Sequence, residues 1–261
     1  MSLIKNILGG LVVGVVGMAL ASSSSALAKD IPAKVVRITG MARYTTDNAV
    51  WHPLTEGQVL PQGAIIQTGE ASKVDIILGQ GSVNHDPAPM GNTTTYNPAA
   101  EQNLVRLSEN TTLGLDKLTS TQTGGETMEE TQLDLRAGTI FGTVKKLSTN
   151  SRYEIKLPNG VAGVRGTIYL VSASGVVAVL EGSVMVAYMG ANGAVMTQEV
   201  PAGYQFDTRT GQLTPLTDIL RSQLIELAWT SRLFVNQQYR FEVDRTIYDV
   251  SPIDDTTPVP K

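Results

Sequence analysis

Cysteine is absent from this 261-residue chain, and histidine occurs twice, at His52 and His85. The first absence excludes a disulfide framework, a thiol nucleophile and a cysteine-borne lipid anchor. The second leaves little for metal binding. Neither Trp51-His52-Pro53 nor Asn84-His85-Asp86-Pro87 offers a second histidine at a ligand spacing. There is no Gly-x-Ser-x-Gly elbow and no glycine-rich loop opening a helix, so serine hydrolysis and phosphate cradling have no motif to rest on. The carboxylates of Glu129-Glu130 sit among polar residues that would not raise a pKa. Aromatic residues make up 5% and are scattered, which suits core and rim positions better than a binding platform. The chain is expected not to be an enzyme, with no cofactor and no metal. Lys and Arg number 20 against 24 Asp and Glu, without a basic cluster, which excludes a nucleic-acid surface.

What is present begins with a leader. Lys5 precedes an apolar run from Ile7 to Leu20, and Ser22 to Ser25 lead into Ala26-Leu27-Ala28. This is the order of a secretory signal peptide over residues 1–28, cleaved after Ala28. The run falls short of the ~20 residues that span a bilayer, so a retained anchor is the alternative reading. The expected location is periplasmic or secreted, with membrane association only if the segment stays.

From Ile31 to Phe206 the sequence is written in strands. Short runs rich in Val, Ile, Leu and Thr recur, such as Val74 to Leu78, Ile140 to Val144, Thr167 to Val171 and Val184 to Tyr188, each bounded by turn residues. In Tyr153-Glu154-Ile155-Lys156-Leu157 apolar residues alternate, placing Glu154 and Lys156 on a wetter face. Val176 to Leu180 is apolar throughout and predicts a central strand covered on both sides. A small unit also repeats: Leu54-Gly57-Val59, Leu60-Gly63-Ile65, Leu135-Gly138-Ile140 and Val179-Gly182-Val184. Its glycine suits the positive φ of a tight reversal. The fold class is all-β over residues 29–213, with stacked short strands and glycine turns. A β-solenoid is the leading arrangement and a β-sandwich the alternative.

Two polar stretches without period, Gly79 to Asn103 and Thr119 to Thr131, read as surface loops. After Pro215 the spacing of Ile219, Leu220, Leu224, Leu227, Ala228, Ser231 and Phe234 predicts an amphipathic helix within residues 214–240. Thr217 and Asp218 are its starters and Tyr239 marks its approximate end. It packs on the β core in the simpler reading and binds a partner in the sharper one. Residues 241–261 read as an extended tail.

The stretches Trp51 to Leu78, Leu133 to Val144 and Tyr153 to Val186 together resemble the FecR domain. The most specific part is Ala162-Gly163-Val164-Arg165-Gly166-Thr167, followed by Glu181-Gly182-Ser183-Val184, and the resemblance covers Val50 to Phe206. A full sensor of that family implies a cytoplasmic sigma-factor segment, one membrane helix, the β domain and a receptor-facing domain. Here only Met1 to Asn6 precede the apolar run, so the resemblance is to the stand-alone exported domains.

Within this motif Arg165 needs explaining, because a permanently charged guanidinium among apolar neighbours requires a partner, a ligand or solvent. The expectation is a clasp. Gly163 and Gly166 turn the backbone while Arg165 folds over strand ends onto Glu181, Asp134 or Glu154. The alternative is a ligand-binding set of Arg165, Gly163, Gly166 and Thr167 that holds a carboxylate, as on a cell-wall peptide. The functional expectation is a non-catalytic binding or scaffolding module of the bacterial envelope, its partner an envelope protein or cell-wall ligand. A membrane-anchored signal relay is the second reading. An envelope enzyme acting on glycans is the third, and it would need a close carboxylate pair in a cleft.

Overall fold

The computed structural model describes residues 28–79, 103–123, 126–190, 192–232, 239–243 and 246–250. His85, most of the predicted loop from Gly79 to Asn103, all of the leader except Ala28, and residues 251–261 lie outside them.

In chain order the strands begin with β1 (Ala28–Asp30), β2 (Ala33–Thr39), β3 (Ala42–Thr45), β4 (His52–Pro53), β5 (Val59–Leu60), β6 (Ile65–Thr68) and β7 (Lys73–Leu78). There follow β8 (Leu104–Leu107), β9 (Thr112–Thr123), β10 (Glu126–Ala137), β11 (Thr139–Val144), β12 (Arg152–Leu157), β13 (Gly160–Val164) and β14 (Thr167–Ser172). The series continues with β15 (Val176–Glu181), β16 (Ser183–Met189), β17 (Val195–Pro201), β18 (Tyr204–Asp207) and β19 (Gln212–Pro215). Helix α1 (Asp218–Arg232) and the paired strands β20 (Tyr239–Val243) and β21 (Thr246–Val250) come last.

Nineteen strands form two sheets. The first has ten, in the order β17-β16-β13-β12-β10-β9-β6-β3-β4 with β1 pairing onto β9. The second has nine, in the order β19-β18-β15-β14-β11-β8-β7-β2-β5. From β12 onward the chain deals strands out in pairs, β12 and β13 to the first sheet, β14 and β15 to the second, then back and forth again. The recurring glycine unit marks such reversals: Gly57, Gly63, Gly138 and Gly182 all have φ between 80° and 86°.

The architecture is sandwich-like and not a solenoid. Among the described residues only β10 and β12 run parallel, and the other ladders are antiparallel, so the chain reverses at each step where a solenoid would coil in one sense. Between the sheets lies one core. Leu113, Leu115, Leu133 and Ile155 from the first sheet meet Val105, Leu107, Val177 and Phe206 from the second, all with no exposure. In β12 the predicted alternation holds, with Tyr153, Ile155 and Leu157 buried and Glu154 and Lys156 half-buried between them.

Thr119 to Thr131 is not a loop. The described residues among them form the far halves of β9 and β10, paired from Thr119↔Glu130 out to Thr123↔Glu126. Apart from buried Thr131, their polar side chains are half-buried or exposed where characterised, so polarity here marks a two-sided solvated hairpin.

Helix α1 starts as expected. The Thr217 hydroxyl accepts the Leu220 N–H at 3.2 Å, and Asp218 occupies the first turn, where the exposed amides favour a negative charge. It packs on the outer face of the second sheet, where Leu216, Leu224 and Ala228 form a cluster with Phe141, Ile168 and Ala178. This covers the second face of β15, as its unbroken apolar run predicted. Two expectations about the helix fail. Ile219 is 74% exposed, because it falls on the outward side of the first turn. The described helix reaches Arg232, residues 233–238 lie outside the described residues, and Tyr239 opens a strand where the helix was expected to run to about that residue.

Candidate functional site

The motif around Arg165 is the crossing from one sheet to the other: β13 of the first sheet ends at Val164 and β14 of the second begins at Thr167. Gly166 makes the crossing with φ +66°. Thr167 is buried, and its hydroxyl donates to the Ser183 carbonyl at 2.9 Å. A Cβ on Gly182 would strike the Gly166 carbonyl oxygen, so the two halves of the motif are locked together by backbone contact. Gly163 plays no part in the turn. It lies inside β13, paired with Glu154 and Met185.

The expected clasp does not form. Arg165 is exposed and makes no ion pair or hydrogen bond among the described residues. Asp134 pairs with Arg136 at 2.7 Å instead. Glu154 accepts from Gln132 at 3.4 Å. Glu181 leaves one carboxylate oxygen buried without a partner, and that burial pushes its carboxyl above the usual carboxylate range. The turn aims the guanidinium past the strand ends into solvent.

A different arginine is the buried one. On the outer face of the second sheet the register sets Arg37, Asp75, Arg106, Phe141, Leu170 and Ala178 side by side across β2, β7, β8, β11, β14 and β15. The row is charged at one end and apolar at the other. Helix α1 covers the apolar end, which leaves the charged end beside its last two turns.

There Asp75 is 2% exposed and Arg106 7%. The guanidinium meets the carboxylate through two bonds, Nε to Oδ1 at 2.6 Å and Nη2 to Oδ2 at 2.8 Å, and donates from Nη1 to the Thr230 hydroxyl of the helix at 2.9 Å. Such a fork is strong and geometrically specific, and its burial is tolerated because the donors are engaged. The ion pair therefore ties sheet to helix across 124 positions of sequence.

Next to this tie lies an open groove of about 570 Å³. Arg37, Thr39 and Lys73 form its sheet wall, Gln223 and Glu226 its helix wall, with Leu170 and Leu227 between them. Its carboxylates, Asp75 and Glu226, do not make an acid–base pair, since both oxygens of Asp75 are held by Arg106. His52 is exposed on β4, its ring 5.6 Å from that of Tyr44. Among the described residues no cluster of His, Cys, Asp or Glu could hold a metal, and no helix is long and apolar enough to cross a membrane.

The groove escaped the sequence reading, although a signal existed. Arg106 in Leu104-Val105-Arg106-Leu107 breaks an apolar strand as abruptly as Arg165 does, and Asp75 does the same in Val74-Asp75-Ile76-Ile77.

Comparison with known proteins places residues 94–185 in the family described as FecR protein, a narrower span than Val50 to Phe206. No curated protein matches the chain. Two crystal structures of a candidate anti-sigma factor from Parabacteroides distasonis ATCC 8503 are similar at 14% identity. One has a TM-score of 0.30, covering 46% of this chain and 54% of the other; the second has 0.32, covering 56% and 60%. The match thus spans little more than half the length of those structures.

Proposed function

We propose that this chain, which carries a FecR domain at residues 94–185, is an exported, non-catalytic binding module of the bacterial envelope. The observation that carries the reading is the groove on the outer face of the second sheet. It is open to solvent and walled by a β ladder on one side and a helix on the other. The buried Asp75–Arg106 pair fixes one wall against the other. Side chains placed on such a scaffold are pre-organised, which is what selective binding needs. Its volume lies within the roughly 300–1,000 Å³ of small-ligand sites. The leader over residues 1–28 supports export.

A second reading is an anchored relay that keeps its N-terminal segment. It is favoured by the Arg106 to Thr230 contact, which makes the helix's position depend on the sheet. Fractionation of the native cell with mass spectrometry of the N-terminus separates the two. A chain that begins at Lys29 in a soluble envelope fraction supports the exported module. Retention of Met1 to Ala28 in the membrane fraction rejects it in favour of the relay.

A further inference from the structure

The groove carries opposite charges on opposite walls. On the sheet side Lys73 is exposed on β7, opposite Thr39 in the ladder and two residues from the Arg37–Asp75 pairing. On the helix side Glu226 is exposed one turn before Thr230. The Asp75–Arg106 pair beneath them is neutral as a unit, both carboxylate oxygens being bonded to the guanidinium. A guest therefore meets positive charge from Lys73 on one side and negative charge from Glu226 on the other. The last turns of α1 reinforce the second, because helix carbonyls accumulate partial negative charge toward the C-terminus. Between the walls, half-buried Leu170 and Leu227 offer a small apolar floor.

This pattern discriminates among ligand classes. A phosphate ester would set two negative charges against Glu226, and a polyamine would be repelled by Lys73. Among the described residues that line the groove, aromatic side chains, the usual platform for sugar rings, are missing. A molecule with a carboxylate at one end, an ammonium at the other and an aliphatic group between them satisfies every wall.

We infer that the groove binds a short zwitterionic peptide, its carboxylate toward Lys73, its ammonium toward Glu226 and its aliphatic side chain on Leu170 and Leu227. The inference rests on the reading of the chain as a binding module and names what that module takes.

The test is calorimetric titration of the purified chain with the dipeptide leucyl-alanine, its N-acetylated form and its C-terminal amide. Free leucyl-alanine is expected to saturate the chain, and each blocked form to bind about tenfold more weakly, the worth of one lost charge-assisted contact. Lys73→Glu should weaken the free peptide about tenfold and abolish the effect of amidation. Glu226→Lys should do the same for acetylation. Both side chains are exposed, so circular dichroism is expected to stay unchanged in either variant. Failure of leucyl-alanine to saturate the chain, or equal binding of free and blocked peptides, overturns the inference. That outcome leaves the fractionation result untouched, so peptide specificity and envelope export fail separately.

Discussion

Tyr153 of the first sheet and Tyr169 of the second join their hydroxyls at 3.1 Å across the space between the sheets, with both rings buried. Burial drives both phenols well above their ordinary value, so they remain neutral donors and acceptors. Tyr153→Phe or Tyr169→Phe strands one hydroxyl in the core and is expected to destabilise the fold by about 1–3 kcal/mol. Replacing both should cost less than the sum of the single changes, because no unpaired group remains. Urea unfolding of the four proteins measures the coupling, and strict additivity would refute it.

Asp75 and Arg106 are expected to behave as a unit. Arg106→Met or Asp75→Leu alone leaves a buried charge uncompensated, at a cost of about 3–5 kcal/mol. The double variant should recover most of that loss while weakening the tie to Thr230. Denaturant midpoints report the first effect, and faster amide exchange along α1 reports the second.

Arg165→Ala is expected to leave stability within about 0.5 kcal/mol of the parent, the usual range for an exposed side chain without a structural contact. Gly182→Ala, by contrast, meets both a positive φ and the Gly166 carbonyl, and should cost more than about 1 kcal/mol. A large loss from Arg165→Ala would reinstate the clasp.

Glu181 has a raised carboxyl in the folded chain, so the folded state holds the proton more tightly than the unfolded one. Its contribution to stability is complete below the ordinary value of 4.5 and falls as pH rises through the folded value. Glu181→Gln should therefore gain stability over the parent near neutral pH and lose that gain in acid. A difference independent of pH would contradict the assignment.

Asp47 behaves in the opposite sense. The N–H groups of Val50 and Ala49 and the Thr45 hydroxyl bond its carboxylate at 3.0, 2.8 and 2.9 Å and hold its pKa down to about 2. The turn's contribution is present above the ordinary value of 3.8 and is lost as pH falls through about 2. A carbon-detected NMR titration of the carboxyl should show the low midpoint, and Asp47→Asn should remove this part of the acid dependence.

Much of the fold was legible because burial writes itself into periodicity. Tyr153 to Leu157 alternates because one face of β12 meets the core, and Val176 to Leu180 does not because α1 covers the other face of β15. The hairpin from Thr119 to Thr131 was misread because neither of its faces is fully covered. Without a dry side the strand period vanishes, and threonine's preference for extended backbone was the remaining clue. The groove was hidden for another reason. Asp75 and Arg106 are neighbours only through the β7–β8 register, and Thr230 reaches them only through the docking of α1, relations that no local window of sequence contains.

Apart from β1, β4 and β5, the position of a strand along either sheet follows its position in the chain, whereas α1 returns from the carboxyl end to pack on β11, β14 and β15 and bring Thr230 to Arg106 of β8. A ribosome releases Asp75 and Arg106 before Thr230, so while the 124 positions between Arg106 and Thr230 are made the ion pair stands without its helical cover. The groove cannot have two walls until residues 218–232 have emerged. The completed groove is thus a late event in the life of each molecule, and a chain cut short ahead of Asp218 would keep its sheets yet lack the groove's second wall.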